Sequence, residues 1–435
     1  MRLTRLDLAE VQRLGGSAAA AAHLRALVPA GESVAAQVRD IVEAVRSGGD
    51  AAVAAYTRMF DTGGEQPLAL LVSQAELDAA ITQLPRELVA GLQVAIANLA
   101  LVAEAGVDRE ARVELPQGHT VLLREVPVSS AAVYVPGGRA PYPSTVVMGV
   151  VTARSAGVLD VVVAAPPGPG GEIDPAILGT CRLCGVERVY RMGGAQAIAA
   201  LAYGTETVAP VDVIVGPGNL YVQEAKHQLS ALVGIDGFAG PSDLMVLLSA
   251  EAGPREVGLA ALDMLAQAEH GEGSLVAAVA TTAELCEAIA QELAAGILQR
   301  PTVGEAQFAI VQAAGARDAV ALANAFAPEH LELIGAEVES LAPIVRCAGC
   351  LFVGADSATA FGDYVAGSNH VLPTGGAARF ASTLSPRHFR RRMSEVRIGP
   401  AAERLAGAGA PVARAEGFQV HAESMEARIV ENPPT

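Results

Sequence analysis

From Ser130 onward the hydrophobic and polar positions come in alternating blocks, with short apolar runs of strand length each followed by an amphipathic stretch of helix length. The pattern predicts strands at 131–135, 158–164, 186–190 and 211–215, separated by helices near 145–156, 175–184 and 195–202 and followed by one at 220–232. Such alternation is the sequence form of a parallel sheet covered by helices. A second unit starts with a strand at 244–248 and continues through strands near 275–280, 307–311, 331–334 and 351–353. Two Rossmann-like units follow. Ahead of them, 34–60 and 73–107 read as mainly amphipathic helix. After Leu384 the character changes, with helices around 401–406 and 410–428 that have no sheet of their own. A tail of that kind must bury its apolar face on another element or another subunit.

The chain's 435 residues, 51% of them hydrophobic, suffice for more than one core. With 30 basic against 47 acidic residues the net charge is -17, which argues against nucleic acid and anionic membrane as partners. Acidic residues interrupt the N-terminal segment, and the longest apolar stretch, near 92–107, is broken by Asn98 and Glu104. A cytoplasmic protein is expected. The 5 cysteines are an odd number and do not form a disulfide framework. Cys181 with Cys184, and Cys347 with Cys350, have the spacing of zinc ligands, but both pairs fall in apolar helix or strand sequence. Buried small hydrophobes are the preferred reading; a non-catalytic zinc protein built on these pairs is the competing one.

The rare residue types cluster in the second half of the chain. Gln267 and His270 are three apart in a helical pattern, which puts an amide and an imidazole on one face; a solvated helix end is the plain alternative for such a pair standing alone. Pro-Glu-His at 328–330, Gly-Asp-Tyr-Val-Ala-Gly-Ser-Asn-His at 362–370, and Glu416 with His421 are dense in possible ligands and catalysts. Of the 8 histidines, His270, His330, His370 and His421 lie in these segments, whereas His23, His119, His227 and His388 are expected on surface helix or loop. The usual glycine fingerprint for a dinucleotide is missing. Gly216-Pro-Gly-Asn219 follows a strand and precedes a helix, the right place for a cofactor contact and equally a tight turn. Pro166 to Gly171 mimics the fingerprint, but its prolines remove the amide donors, so a surface loop is expected.

These segments, with Tyr-Val-Pro-Gly-Gly at 134–138, Gly-Gly-Ala-Gln-Ala-Ile-Ala-Ala-Leu-Ala at 193–202, Glu-Ala-Lys at 224–226 and Ala-Gly-Pro-Ser at 239–242, occur in an order and spacing that resembles the histidinol dehydrogenases over nearly the whole chain. The resemblance implies an α/β fold with two incomplete Rossmann-like parallel-sheet domains. One would be 31–129 with 237–384, carrying metal and catalytic residues; the other, 130–236, would carry the NAD contacts. A helical N-terminal segment at 1–30 and a small helical tail at 385–435 would complete the chain, the 34–107 helices packing with the second unit and the tail reaching the partner of a homodimer with shared active sites. It implies NAD contacts at Tyr134, Gln196 and Asn219, one Zn2+ per subunit on Gln267, His270, Asp363 and His421, and catalysis by His330 as the base for the alcohol and Glu329 as activator of water. Substrate contacts would be Ser242, Gln267, His270, His330, Asp363, His370, Glu416 and His421. The implied reaction takes L-histidinol through L-histidinal to L-histidine with two NAD. The ligand set, nitrogen and oxygen donors with a single anion, suits an open zinc site and would also accept manganese or cobalt. A related dehydrogenase for another small polar alcohol, such as a sulfonated diol, is the alternative; it would favour a cation where Glu416 stands. Three positions depart from the family pattern: Gly271, Asp243 and Ser368 stand where Asp, Glu and Pro are expected.

Overall fold

A computed structural model describes residues 2–12, 15–28, 33–137, 140–237, 240–271, 273–300, 303 and 306–429. Gly138 and Ala239, which belong to two of the motifs above, lie outside the described residues, as do 430–435 of the expected tail. The chain divides into two units, one of 1–106 with 129–389 and one of 107–128 with 390–435.

The first unit contains two parallel sheets. The larger has six strands in the order Arg2–Asp7, Gln307–Gln312, Leu275–Ala280, Asp243–Leu248, His330–Ile334, Cys350–Val353, each parallel to its neighbours. The smaller has five in the order Val189–Arg191, Asp160–Ala165, Ser130–Tyr134, Val213–Val215, Gly234–Ile235, again all parallel. Helices cover both faces, so the central strands are apolar on both sides. Every residue of Asp243–Leu248 and of Leu275–Ala280 is buried, as a parallel sheet between helix layers requires.

The blocks predicted from 131 to 353 reappear as strands and helices within a few residues. Arg2–Asp7 is different, since it lies in the segment expected to be helical and forms the edge strand of the six-stranded sheet. An edge strand pairs on one side only and carries a weaker apolar signal. The helices before the first sheet also pack differently from expectation. Val38, Ile41, Val42, Val45 and Val53 of the helix Ala35–Phe60 share a core with Ala132, Tyr134, Ile198 and Ile214 of the five-stranded sheet and its helices. Leu92, Ala95 and Leu99 of Arg86–Ala105 pack on Val147, Met148 and Val151. They therefore belong with the first alternating unit rather than the second; an apolar helix face carries no label for the sheet it covers. Arg86–Ala105 is long and apolar enough to cross a membrane by length and composition, but that face is committed to this packing.

In the second unit Arg390–Arg397, Thr120–Pro127 and Ala111–Glu114 form an antiparallel sheet in that order. The tail thus has the sheet it was expected to lack, because its strand pairs with a segment more than 260 residues earlier. The helices Ala402–Ala415 and Gln419–Glu426 follow. The break expected near 407–409 falls instead at Gly417, whose φ of 81° ends the first helix. Gly409 stays within the first helix, and Met425 packs against it, with Sδ 2.7 Å from where a Cβ would stand.

Candidate functional site

Two cavities open on the first unit. One, of about 910 Å3, lies at the carboxyl ends of the five-stranded sheet, where strand order reverses between Ser130–Tyr134 and Val213–Val215. That switch point is where open parallel sheets bind ligands. Tyr134, Gln196 and Asn219 all line it. The Tyr134 hydroxyl accepts from the Gly194 amide at 3.1 Å, and Asn219 caps the helix Leu220–Leu229 by accepting from the Tyr221 and Val222 amides. Both amide atoms of Gln196 are buried without a hydrogen-bond partner among the described residues. A roomy cavity with orphaned polar atoms in its wall suits a dinucleotide that supplies the missing bonds. The proline loop at 166–170, expected as surface, walls this cavity with ring surfaces instead of amides.

The second cavity, of about 630 Å3, gathers Ser242, His270, Glu329, His330, Asp363 and His370, and it shares Asn219 with the first. Ser242, Glu329 and His330 sit at the amino ends of two neighbouring strands of the six-stranded sheet, Asp243–Leu248 and His330–Ile334. Gln267 stands behind Ser242 and donates Nε2 to its Oγ at 2.5 Å; Ser242 Oγ in turn donates to Glu329 Oε2 at 2.5 Å. The Asp243 amide bonds the same Oε2 at 3.0 Å. Glu329 is buried, and burial pushes its carboxyl up to about 7 in spite of these donors.

His330 donates Nε2–H to Asp363 Oδ1 at 3.3 Å, the direction a carboxylate imposes. In the neutral ring Nδ1 then carries the lone pair. Nδ1 has no hydrogen-bond partner among the described residues and lies 3.9 Å from Glu329 Oε2. Burial works to lower the pKa of this ring, but the bond to Asp363 and the charges of Glu329 and Asp363 outweigh it and raise the pKa. His370 is held below its ordinary value by burial. Its Nδ1 donates to the Asp363 carbonyl at 2.9 Å, leaving Nε2 to accept from Thr145 Oγ1 at 3.3 Å.

Gln267 and His270 do not share a helix face as expected. The helix Pro254–Ala268 stops before His270, and Gly271, with φ of 93°, turns the chain away. Gln267 points inward and is buried, while His270 is exposed. The Gln267 amide spends its nitrogen on Ser242, so its carbonyl oxygen is the atom that would face a cation. With His270 and Asp363 this makes a mixed donor set carrying one negative charge, which suits zinc but stops at three ligands. Among the described residues no group of three or more His, Cys, Asp or Glu side chains converges as a metal would need. Glu416 and His421 belong to the second unit, where both are exposed and His421 meets Phe418 edge-on at 5.0 Å. Burial disfavours the thiolate at Cys181 and Cys184: it raises the first thiol and pushes the second up to about 12.

Several residues support the site in ways that the sequence did not indicate. Asn98 donates to the Val365 carbonyl at 2.8 Å, and Asn369 donates to the Met148 carbonyl and Thr152 Oγ1, both at 3.0 Å. These two asparagines pin the loop that carries Asp363 and His370. Gly216 is clamped twice: Asp236 accepts its amide at 2.7 Å, and Lys226 Nζ donates to its carbonyl at 2.5 Å and to Asp236 at 2.7 Å. Its φ of 117° and the Tyr134 carbonyl, 2.0 Å from where a Cβ would stand, admit only glycine. The sequence offered Gly216 as a turn or cofactor contact and Lys226 as part of a family motif, and it did not link either to Asp236.

The family model for histidinol dehydrogenase matches residues 28–429. The histidinol dehydrogenase of Synechococcus sp. is 44% identical over 366 residues, covering 82% of this chain and 84% of that protein. That of Rhizobium meliloti is 41% identical over 367 residues, covering 83% and 84%. The crystal structure of histidinol dehydrogenase from Elizabethkingia anophelis superposes with a TM-score of 0.89 at 30% identity, covering 99% of this chain and 98% of that one. The sulfonated-diol alternative finds no support in these likenesses.

Proposed function

The chain belongs to the histidinol dehydrogenase family of NAD-dependent oxidoreductases, and from that premise we propose that it oxidises L-histidinol through L-histidinal to L-histidine. The observation that carries this reading is the gathering of Ser242, His270, Glu329, His330, Asp363 and His370 around one cavity that shares Asn219 with the cavity of Tyr134 and Gln196. We assign the first cavity, at the carboxyl ends of the five-stranded sheet, to NAD, and the second, at the amino ends of Asp243–Leu248 and His330–Ile334, to substrate.

When bound, NAD accepts hydride at each of two stages and zinc would fix the substrate's imidazole and amine, held by Gln267, His270, Asp363 and His421. His330 takes the proton of the alcohol at Nδ1, whose lone pair is unspent, and the neighbouring carboxylates stabilise the imidazolium that results. Glu329 takes a proton from the water that adds to the aldehyde; a carboxyl with a pKa near 7 is matched to that task at neutral pH. Ser242 orients Glu329 and links it to Gln267. His370, neutral and fixed by Thr145 and the Asp363 carbonyl, shapes the pocket as a substrate contact. His421 and Glu416 would come from the partner subunit of a homodimer, completing the zinc shell and meeting the substrate. A chain with this chemistry and acidity would work in the cytoplasm.

The test is the stoichiometry of NADH formed per L-histidinol consumed by zinc-loaded protein, with the product identified. Two NADH with histidine are expected. One NADH with an accumulating aldehyde would remove the role given to Glu329, and no NADH would refute the substrate.

A further inference from the structure

The cofactor cavity contains a second orphan, Asp61, which no sequence motif marks. It stands at the end of the helix Ala35–Phe60, a position where the helix dipole disfavours an anion. Among the described residues its Oδ2 is buried without a hydrogen-bond partner, and its Oδ1 lies 3.3 Å from where a Cβ would stand on Gly193, at the start of the helix Gly194–Tyr203. Asp61, Tyr134 and Gln196 thus face one volume, and among the described residues no hydrogen bond to Oδ2 accounts for keeping a carboxylate there. Burial pushes this carboxyl up to about 6, so it is anionic at pH 8. The other charged residues among the described lining are Glu172 and Asp174, both acidic. A carboxylate accepts hydrogen bonds from hydroxyl groups and repels phosphate, and low-dielectric walls strengthen both effects.

We infer that Asp61 accepts a hydrogen bond from a ribose hydroxyl of the dinucleotide and is the residue that selects NAD against its 2′-phosphorylated form, NADP. This rests on the assignment of the cavity to NAD. Glu172 and Asp174 add charge of the same sign at the wall but have no comparable burial; Asp174 is occupied in capping the helix Pro175–Leu183.

The experiment compares the wild-type protein with Asp61→Asn and Asp61→Glu. Binding of NAD and of NADP is measured by titration calorimetry without substrate, and kcat/KM for each cofactor is measured with saturating L-histidinol. For Asp61→Asn, NAD binding is expected to weaken by about tenfold while NADP binding holds or improves, so the preference for NAD falls at least about tenfold. Asp61→Glu keeps the charge and is expected to keep the rejection of NADP even where NAD binding weakens. An Asp61→Asn protein with wild-type melting temperature and an unchanged NAD-to-NADP ratio would overturn the inference alone. A wild-type protein that binds neither cofactor would overturn the assignment of the cavity as well. If Asp61→Asn does not fold, loss of NADP rejection in Asp61→Glu overturns the role of charge, and its retention supports it.

Discussion

Glu329 and Asp243 are bonded reciprocally, each to the other's backbone: the Asp243 amide donates to Glu329 Oε2 at 3.0 Å, and the Glu329 amide donates to Asp243 Oδ1 at 2.6 Å. The pair joins the starts of two adjacent strands and so fixes the Glu329 carboxylate on the sheet itself. Asp243 also carries a charge that helps raise the Glu329 pKa, after the larger effect of burial. Asp243→Asn keeps a carbonyl for the Glu329 amide and removes the charge. The acid limb of L-histidinal oxidation should therefore move to lower pH, with turnover on the alkaline plateau falling less than about tenfold. A limb that stays put or moves up would refute the electrostatic part.

Glu329 must be ionised to accept a proton, so oxidation of the aldehyde is expected to rise with pH and level off above about 7. Stability should run the other way. The folded state holds this proton more tightly than the unfolded chain, whose carboxyl has the ordinary value of 4.5. The contribution of Glu329 is thus largest below pH 4.5 and declines between there and about 7. Urea midpoints of wild type and Glu329→Gln across this window should show the wild type losing ground as pH rises.

Removing metal with a chelator should abolish turnover, and added zinc should restore it with one ion per subunit. His270→Asn is expected to lower both zinc content and activity. His330→Gln should cut turnover by about 10²- to 10⁴-fold, the usual worth of a general base, while zinc content is retained. Zinc loss in His330→Gln equal to that in His270→Asn would reassign His330 as a ligand.

If His421 and Glu416 act in the partner's site, inactive Glu329→Gln and His421→Ala proteins, mixed and re-formed as heterodimers, should regain part of the wild-type activity. Confirmed heterodimers with no activity would mean that each site is built from one chain.

Lys226 and Asp236 are buried together, with side chains 1% and 7% exposed. Lys226→Met leaves an unpaired buried carboxylate and frees the Gly216 carbonyl, so it should cost about 3–5 kcal/mol. Combining it with Asp236→Asn should cost less than the sum of the single changes. Additive losses in urea denaturation would show that the two side chains do not act as a pair.

The local pattern of this chain determined its blocks: apolar runs buried on both faces became parallel strands, and the amphipathic stretches between them became the covering helices. It also marked the segments that hold His270, Glu329, His330, Asp363 and His370, whose types are rare together, while Ser242 was marked through the family resemblance. Tertiary structure decided what pairs with what. Arg2–Asp7 became a strand because Gln307–Gln312 offers it an edge, and Arg390–Arg397 because Thr120–Pro127 does. The helix Ala35–Phe60 went to the five-stranded sheet because complementary packing there, and no feature of its own sequence, distinguishes one sheet from the other. The reciprocal bond between Glu329 and Asp243, the asparagines behind the His370 loop, and the orphaned carboxylate of Asp61 all join residues far apart in the chain. Spacing reports on neighbours within a turn or a strand, whereas a bond across many residues exists only once strand order and helix packing have brought its ends together.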